Sequence, residues 1–280
     1  SIPRSHNMPG FPDGISGVDL IARLEAQLGR YGGTVRRGEV DAIAPSGDAF
    51  LVSHGLELLR ARSIILATGV VNRRPEMPDA MHDIGVARGM IRYCPICDGY
   101  EARHGEVAVL GADQHGAEEA RFLSGFGAAV TLLAQRALDI AADEIAELAQ
   151  FGVSVVRTSV ANVCIADTRV GGDLFDDRRV TFDTLYPALG SSPRSRLGVS
   201  MGAETSASGC ILTDEHQQTT VAGVYAIGDV VEGLDQISVA VGHAATAATA
   251  IHNQLREQRP NSPSTARSSV PTPFERAQPA

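Results

Sequence analysis

Tryptophan is absent from the 280 residues, and Phe, Trp and Tyr together supply only 5%. Such low aromatic content beside 29 glycines suits helices and strands joined by tight backbone turns, the grammar of α/β folds. Four cysteines are too few to staple a chain of this length, so a small disulfide-built fold is excluded. No run approaches 18 apolar residues, so no stretch reads as a membrane span and no membrane partner is expected. Positive charge is also scarce: 24 Lys and Arg face 33 Asp and Glu, a formal charge of −9. An acidic surface repels phosphate backbones, which argues against nucleic acid as a partner. The chain starts at Ser1 without Met and without the apolar core of a leader peptide, which reads as cytoplasmic and as if a first part had been removed.

With 44% apolar residues, a chain of this mass can bury roughly 73% of its extended surface, enough for one large core or two modest ones. Residues 17–31 carry Leu20, Ile21, Leu24 and Leu28 at helical spacing, ended by Gly32 and Gly33. Residues 34–43 and 49–54 read as short strands. Residues 61–71 read as one strand buried on both faces, with Ala67-Thr68-Gly69 at its small-residue end. Residues 106–110, a helix near 117–125, and residues 129–133 make a strand–turn–helix–strand unit. Beyond it come a helix near 140–150 and strands at 153–157, 180–186 and 224–227. A helix over 237–255 is lined by Ala240, Ala244, Ala247, Ala248 and Ile251. From Pro260 the chain is rich in Pro and Ser without apolar period, the signature of a disordered tail.

The sequence Cys94-Pro95-Ile96-Cys97-Asp98-Gly99 is the most informative stretch. Two cysteines three positions apart can close a small disulfide, and Pro95 suits the first turn of a helix because its missing N–H costs nothing there. A thiolate at a helix start gains from unpaired N–H groups, and the neighbouring Asp98 carboxyl could exchange a proton with it. Redox exchange is the leading local reading; half of a zinc site, a structural disulfide and two inert thiols are the alternatives. Cys164 and Cys210 have no metal-ligand spacing and read as small core residues, so no metal site is expected.

Gly111-Ala112-Asp113-Gln114-His115-Gly116 follows a buried strand and opens a helix, the setting of a dinucleotide-binding turn. Gly111 makes the tight turn and Gly116 permits close helix–strand packing. Asp113 stands where a glycine lets the backbone approach a pyrophosphate, and a carboxylate there repels phosphate unless it points away. The turn is therefore either a working nucleotide site or a Rossmann-like turn that binds poorly. A second signal is Gly228-Asp229 after a short strand, which places an acceptor for a ribose or ribityl hydroxyl. His115 in the first turn and His243 in the long helix stand slightly above the remaining histidines as site candidates.

Residues 93–101 (YCPICDGYE), the Gly111 turn with Glu118-Glu119-Ala120, and residues 223–229 occur in the order found in bacterial thioredoxin reductases. The chain resembles that family over about residues 5–256, and more closely its thioredoxin-reductase-like FAD/NAD(P) oxidoreductases. The resemblance implies an α/β fold of two Rossmann-like nucleotide-binding domains, the FAD domain split by an inserted NAD(P)H domain. On that template residues 1–90 are the first FAD-domain part, 91–193 the inserted domain with the redox pair, 194–257 the second FAD-domain part, and 258–280 the tail. It implies that Cys94 and Cys97 form the active disulfide, Cys97 beside the flavin and Cys94 toward the partner, with Asp98 as the proton-transferring acid. Ala67, Thr68, Gly69, Gly228, Asp229, Gln236 and Ile237 are implied around FAD, and Gly111, Gly116 and Arg136 around NADPH or NADH.

Three departures qualify these expectations. The family's opening strand–GxGxxG–helix unit is not found ahead of residue 7, so the first domain reads as lacking its first β-α-β part, with weakened FAD binding. Asp113 replaces a glycine. The basic cluster after the second strand of the NADPH domain is reduced to Ala134-Gln135-Arg136, which leaves NADPH against NADH open. The implied activity carries electrons from NAD(P)H through flavin to the Cys94–Cys97 disulfide and on to a thioredoxin-like protein or a small disulfide. A homodimer is implied for the complete protein. A flavin-dependent dithiol oxidase using oxygen and a non-catalytic nucleotide-binding relic are the rival readings.

Overall fold

A computed structural model of the chain describes residues 4–258. In chain order the elements are α1 (Gly17–Arg30), β1 (Ala42–Ser46), β2 (Ala49–His54), β3 (Glu57–Ala61), β4 (Ile64–Leu66), β5 (Val70–Asn72), α2 (Asp79–Ala87) and α3 (Pro95–Asp98). There follow β6 (Glu106–Leu110), α4 (Gln114–Ser124), β7 (Ala129–Leu133), α5 (Ala142–Gln150), β8 (Ser154–Val155), β9 (Val160–Ala166), β10 (Arg169–Leu174), β11 (Arg179–Phe182) and β12 (Thr184–Pro187). The last are β13 (Ser191–Pro193), α6 (Arg196–Ser200), β14 (Val224–Ala226), a 3-10 turn over Gly228–Val230, and α7 (Ile237–Glu257).

The middle of the chain builds a parallel sheet in the order β12-β6-β7-β8. Strand β6 is its spine, with Val107, Ala108, Val109 and Leu110 all at 0% exposure. Side chains alternate across a strand, so Val107 and Val109 join Ala117, Ala120 and Leu123 of α4 and Leu148 of α5. Ala108 and Leu110 face the other way, into a core shared with Val160, Val163, Val170 and Phe182 of the antiparallel meander β9–β10–β11. That double cover is why the 106–110 run is apolar throughout. The strand order changes direction at β6, which opens a crevice beyond its carboxyl end, where Gly111 lies.

The flanking segments build the other half. Strands β1–β2–β3 form an antiparallel sheet, and β4 pairs in parallel with β14, Leu66 opposite Ala226. Phe50, Ile64, Leu66, Ile211, Val224, Ala226 and Val230 form its core. Strands β5 and β13 pair antiparallel, so the outgoing and returning chain run side by side between the two halves.

Several elements differ from expectation. Residues 34–41 form no strand; a lone strand cannot satisfy its ladder groups, and the paired strand starts only at Ala42, just after the Asp41 N–H meets the Ser53 carbonyl of β2 at 2.9 Å. The 61–71 run is broken into β4 and β5 at Gly69, whose φ is +66°. Among the described residues β4 pairs only with β14, and Ile65 is 41% exposed, so this strand is buried on one face, not both. The helix α1 forms and is capped by Ser16, yet none of its residues is buried and Val18, Ile21, Leu24 and Leu28 stay exposed. Of the small-residue stripe on α7, only Ala247 is buried. Residues 180–186 split into β11 and β12, and β3, β9 and β10 arise where no strand was expected. Cys164 and Cys210 are half-buried, not core residues. The expected tail lies, after Gln258, outside the described residues.

Candidate functional site

Cys94 and Cys97 form a disulfide at the start of α3. Cys94 is the N-cap in extended conformation and Pro95 takes the first helical position, which is why the motif folds as a single turn. The Cys94 sulfur accepts the Cys97 N–H at 3.2 Å. Both cysteines are half-buried, and between and beside them Ile96 and Tyr100 are 54% and 59% exposed.

Asp98 is held from two sides. Tyr186 Oη, fully buried on β12, donates to Asp98 Oδ1 at 2.8 Å, and Arg92 Nη1 donates to the Asp98 carbonyl at 3.1 Å, with its carboxylate Oδ2 3.8 Å away. Burial pushes the Asp98 carboxyl above the ordinary aspartate range, with Arg92 and Tyr186 pulling against it. Burial also pushes the Tyr186 phenol up, with the Asp98 charge adding to the effect, so Tyr186 stays protonated and acts as a donor. A small recess of about 100 Å³ opens beside this carboxyl, lined by Arg4, His6, Gly89, Arg92, Asp98 and Glu101. A larger depression, about 700 Å³, lies elsewhere, between the end of α7 and residues 216–225.

Gln236, expected near the flavin, meets the sulfurs: its Nε2 donates to Cys94 Sγ at 3.3 Å and to Cys97 Sγ at 3.4 Å. Asn7 Nδ2 donates to Gln236 Oε1 at 2.6 Å, which orients the amide with its N–H groups on the sulfurs. The following Ile237 is half-buried and begins α7. The register explains the meeting: α7 follows β14 through the 3-10 turn and starts beside the redox turn, 139 residues away in sequence from Cys97.

The remaining flavin candidates gather at one sheet edge. Because β4 and β14 are parallel and in register, Ala67-Thr68-Gly69 and Gly228-Asp229 leave their carboxyl ends on the same side. Thr68 Oγ1 donates to the Arg194 carbonyl at 2.8 Å, which ties this turn to the returning chain. Gly228 has φ +67°, and its N–H donates to His243 Nδ1 at 3.3 Å. Asp235 is pushed up to about 6 by burial, reinforced by the Asp229 and Glu232 carboxylates. These turns are open where a Cβ on Gly69 would sit, and they present hydroxyl acceptors, so the residues present fit the ribityl side of a flavin.

The third cluster lies at the carboxyl end of β6. A Cβ on Gly111 would stand 2.7 Å from Gly116 Cα and 3.2 Å from Ala188 Cβ, so the strand-to-helix approach requires both glycines. Asp113 is the N-cap of α4, its Oδ1 accepting the Gly116 N–H at 3.4 Å while its Oδ2 lies 3.5 Å from Arg136 Nη2. His115 turns away to Glu119 at 3.1 Å, and that carboxylate raises its pKa.

The description "pyridine nucleotide-disulphide oxidoreductase" matches residues 14–244. The chain belongs to this family. It is 30% identical over 257 residues to thioredoxin reductase of Treponema pallidum (strain Nichols), covering 87% of this chain and 81% of that one. Among solved structures it is similar to thioredoxin reductase from Streptococcus pyogenes MGAS5005, with a TM-score of 0.82 at 27% identity, covering 91% of this chain and 85% of that one. Lactococcus lactis thioredoxin reductase in its FR conformation matches over 91% of this chain and 86% of that one at 27% identity, with a TM-score of 0.56. This pyridine nucleotide-disulphide oxidoreductase is thus an enzyme of the thioredoxin-reductase-like kind, an FAD- and NAD(P)H-linked disulfide oxidoreductase, and FAD and NADPH are the cofactors of that family.

Sequence reading missed Tyr186, Arg92 and Asn7. Tyr186 sits in an apolar strand and reads as core, and only β12 lying beside β6 brings its hydroxyl to Asp98. Arg92 and Asn7 carry no motif of their own.

Proposed function

We propose that this oxidoreductase passes electrons from NAD(P)H through FAD to the Cys94–Cys97 disulfide, and from there to a disulfide on a thioredoxin-like protein. The observation that carries the reading is the disulfide itself, set between a buried acid on one side and the Gln236 amide on the other. When bound, the flavin supplies the hydride chemistry that a protein side chain lacks. Ala67, Thr68, Gly69, Gly228, Asp229 and Ile237 are the residues we assign to hold it, with Gly111, Gly116 and Arg136 on the nicotinamide dinucleotide. The assignment rests on the grouping of residues 67–69 and 228–229 beyond β4 and β14, and of Gly111, Gly116 and Arg136 beyond β6 and β7, with Ile237 at the start of α7 beside the redox turn.

With the pair reduced, the Cys94 thiolate is stabilised by the Cys97 N–H and by Gln236 Nε2, and it attacks one sulfur of the partner disulfide. The partner's other sulfur leaves and takes a proton, for which Asp98, its pKa raised by burial, is the donor. Cys97 then passes its proton to the Asp98 carboxylate and attacks Cys94 Sγ, the bond from Cys94 to the partner breaks, the second partner sulfur leaves as a thiolate that takes a proton from water, and the disulfide is restored. Two electrons have moved and two partner thiols are formed. The exposed Ile96 and Tyr100 offer the apolar rim on which a protein partner docks.

We assign residues 1–90 and 194–257 to the FAD domain and 91–193 to the NAD(P)H domain, with the β5–β13 ribbon as the connection about which they turn. The lower TM-score against the Lactococcus lactis FR form, over an equal share of the chain, supports two halves whose mutual arrangement varies. A second reading, a dithiol oxidase passing electrons to oxygen, is favoured by Asp113 alone, which weakens the nucleotide turn.

The test is anaerobic. FAD and either NADH or NADPH are added to the chain, and thiols at Cys94 and Cys97 are counted by alkylation and mass spectrometry. Appearance of both thiols, followed by reduction of an added thioredoxin, is the expected result. Thiols that form only with a small dithiol, with peroxide on admission of air, would replace this reading by the oxidase.

A further inference from the structure

The turn at the carboxyl end of β6 has every backbone feature of a nucleotide site and one side chain that opposes it. The first-turn N–H groups of α4 and the positive end of its dipole make an anion site, the place a dinucleotide pyrophosphate takes in such a turn. Here an anion is already built in. Asp113 Oδ1 accepts the Gly116 N–H at 3.4 Å, and Asp113 Oδ2 lies 3.5 Å from Arg136 Nη2. Arg136 is the single cation in the segment after β7, where the chain reads Ala134-Gln135-Arg136-Ala137-Leu138. That segment is drawn over the turn, because the Asp139 N–H donates to the Ala112 carbonyl at 2.6 Å. The other groups on the first turns add no free positive charge: His115 pairs with Glu119 at 3.1 Å, and Glu118 accepts from Gln114 at 3.2 Å. A pyrophosphate arriving here meets the Asp113 carboxylate on the Gly116 N–H, and the one arginine of the segment lies against that carboxylate.

We infer that Asp113 is an internal competitor for the dinucleotide pyrophosphate, clasped by Arg136 at the N-terminus of α4, so that NAD(P)H binds only by displacing it and therefore weakly. The inference rests on the nicotinamide-donor reading above and deepens it: Asp113 sets the affinity for the electron donor. With Arg136 held by Asp113, nothing in the 134–138 segment is free to neutralise a 2′-phosphate, so NADPH gains no advantage over NADH.

Replacing Asp113 tests this on the FAD-supplemented chain by calorimetric titration with NADH and with NADPH. Asp113→Asn keeps the helix cap, since Asn caps as well as Asp, and removes only the charge. Asp113→Gly removes the side chain altogether. Two like charges a few ångströms apart at a half-exposed site repel enough that both variants should bind each nucleotide about tenfold tighter than the unaltered chain. Unaltered protein that binds NADH within about twofold of both variants overturns the clasp and leaves the donor reading standing. Absence of nucleotide binding in all three proteins overturns the donor reading and the clasp together. Thermal melts of the three chains, taken alongside, show that any gain is not an effect of folding.

Discussion

Tyr186→Phe is the substitution that isolates the acid of the redox turn. The tyrosine is fully buried, so phenylalanine keeps the ring packing against β6 and α4 and removes one oxygen. That oxygen makes two hydrogen bonds, at 2.8 Å to Asp98 Oδ1 and at 3.2 Å to the Asp98 carbonyl. The carbonyl keeps the Arg92 Nη1 donor at 3.1 Å, but leaving the part-buried Asp98 Oδ1 without its donor costs about 1–3 kcal/mol, a fall in melting temperature of about 3–8 °C for a domain of this size. The direction of the pH effect follows from the same bond. Burial raises the Asp98 pKa and the Tyr186 hydrogen bond lowers it, so removing the bond raises it further. A carboxyl whose folded pKa exceeds its unfolded value contributes stability at low pH that is lost as pH rises through that window. The deficit of Tyr186→Phe should therefore be smaller at pH 4 than at pH 8. In the disulfide-exchange assay, the limb on which Asp98 loses its proton should move to higher pH. A limb that stays in place or moves down, with melting unchanged at both pH values, would refute the role given to Tyr186.

Two further outcomes are expected. Asp235 is pushed up to about 6 by burial and by Asp229 and Glu232, so the folded state loses stability as pH rises from about 4 to about 6. Asp235→Asn should melt higher than the unaltered chain above pH 6 and show no gain near pH 4; a pH-independent difference in melts would contradict this. Gly111→Ala places a methyl 2.7 Å from Gly116 Cα and 3.3 Å from the Ala188 carbonyl, which must push α4 off the sheet. The expected cost is about 1–3 kcal/mol in denaturant unfolding, with loss of NADH binding, and an unchanged unfolding midpoint would contradict the packing described.

The clearest failures of sequence reading lie in the FAD half. Leu20, Ile21, Leu24 and Leu28 announce an amphipathic helix, and α1 forms, but periodicity says only that a face is apolar, not that anything covers it. Residues 34–41 have strand-like composition and no strand, because a strand is a property of a pair. The 61–71 run contains the residues of a doubly buried strand, and pairing on one side alone leaves Ile65 exposed.

What the sequence by itself determined is local. The Cys94-Pro95-Ile96-Cys97 spacing closes a disulfide on one helical turn, Gly111 and Gly116 make the strand-to-helix turn, and the unbroken apolar run of β6 demands cover on both faces. These rest on bond geometry and side-chain period within a few residues. What only the tertiary structure decided is which distant group meets each of them. Gln236 reaches the sulfurs and Asn7 reaches Gln236, Tyr186 and Arg92 reach Asp98, and Arg136 reaches Asp113, across separations from 6 to 229 residues. Most of these partners come from other elements, brought in by sheet pairing and core burial, and a single chain read in order carries no signal of which elements those forces bring together.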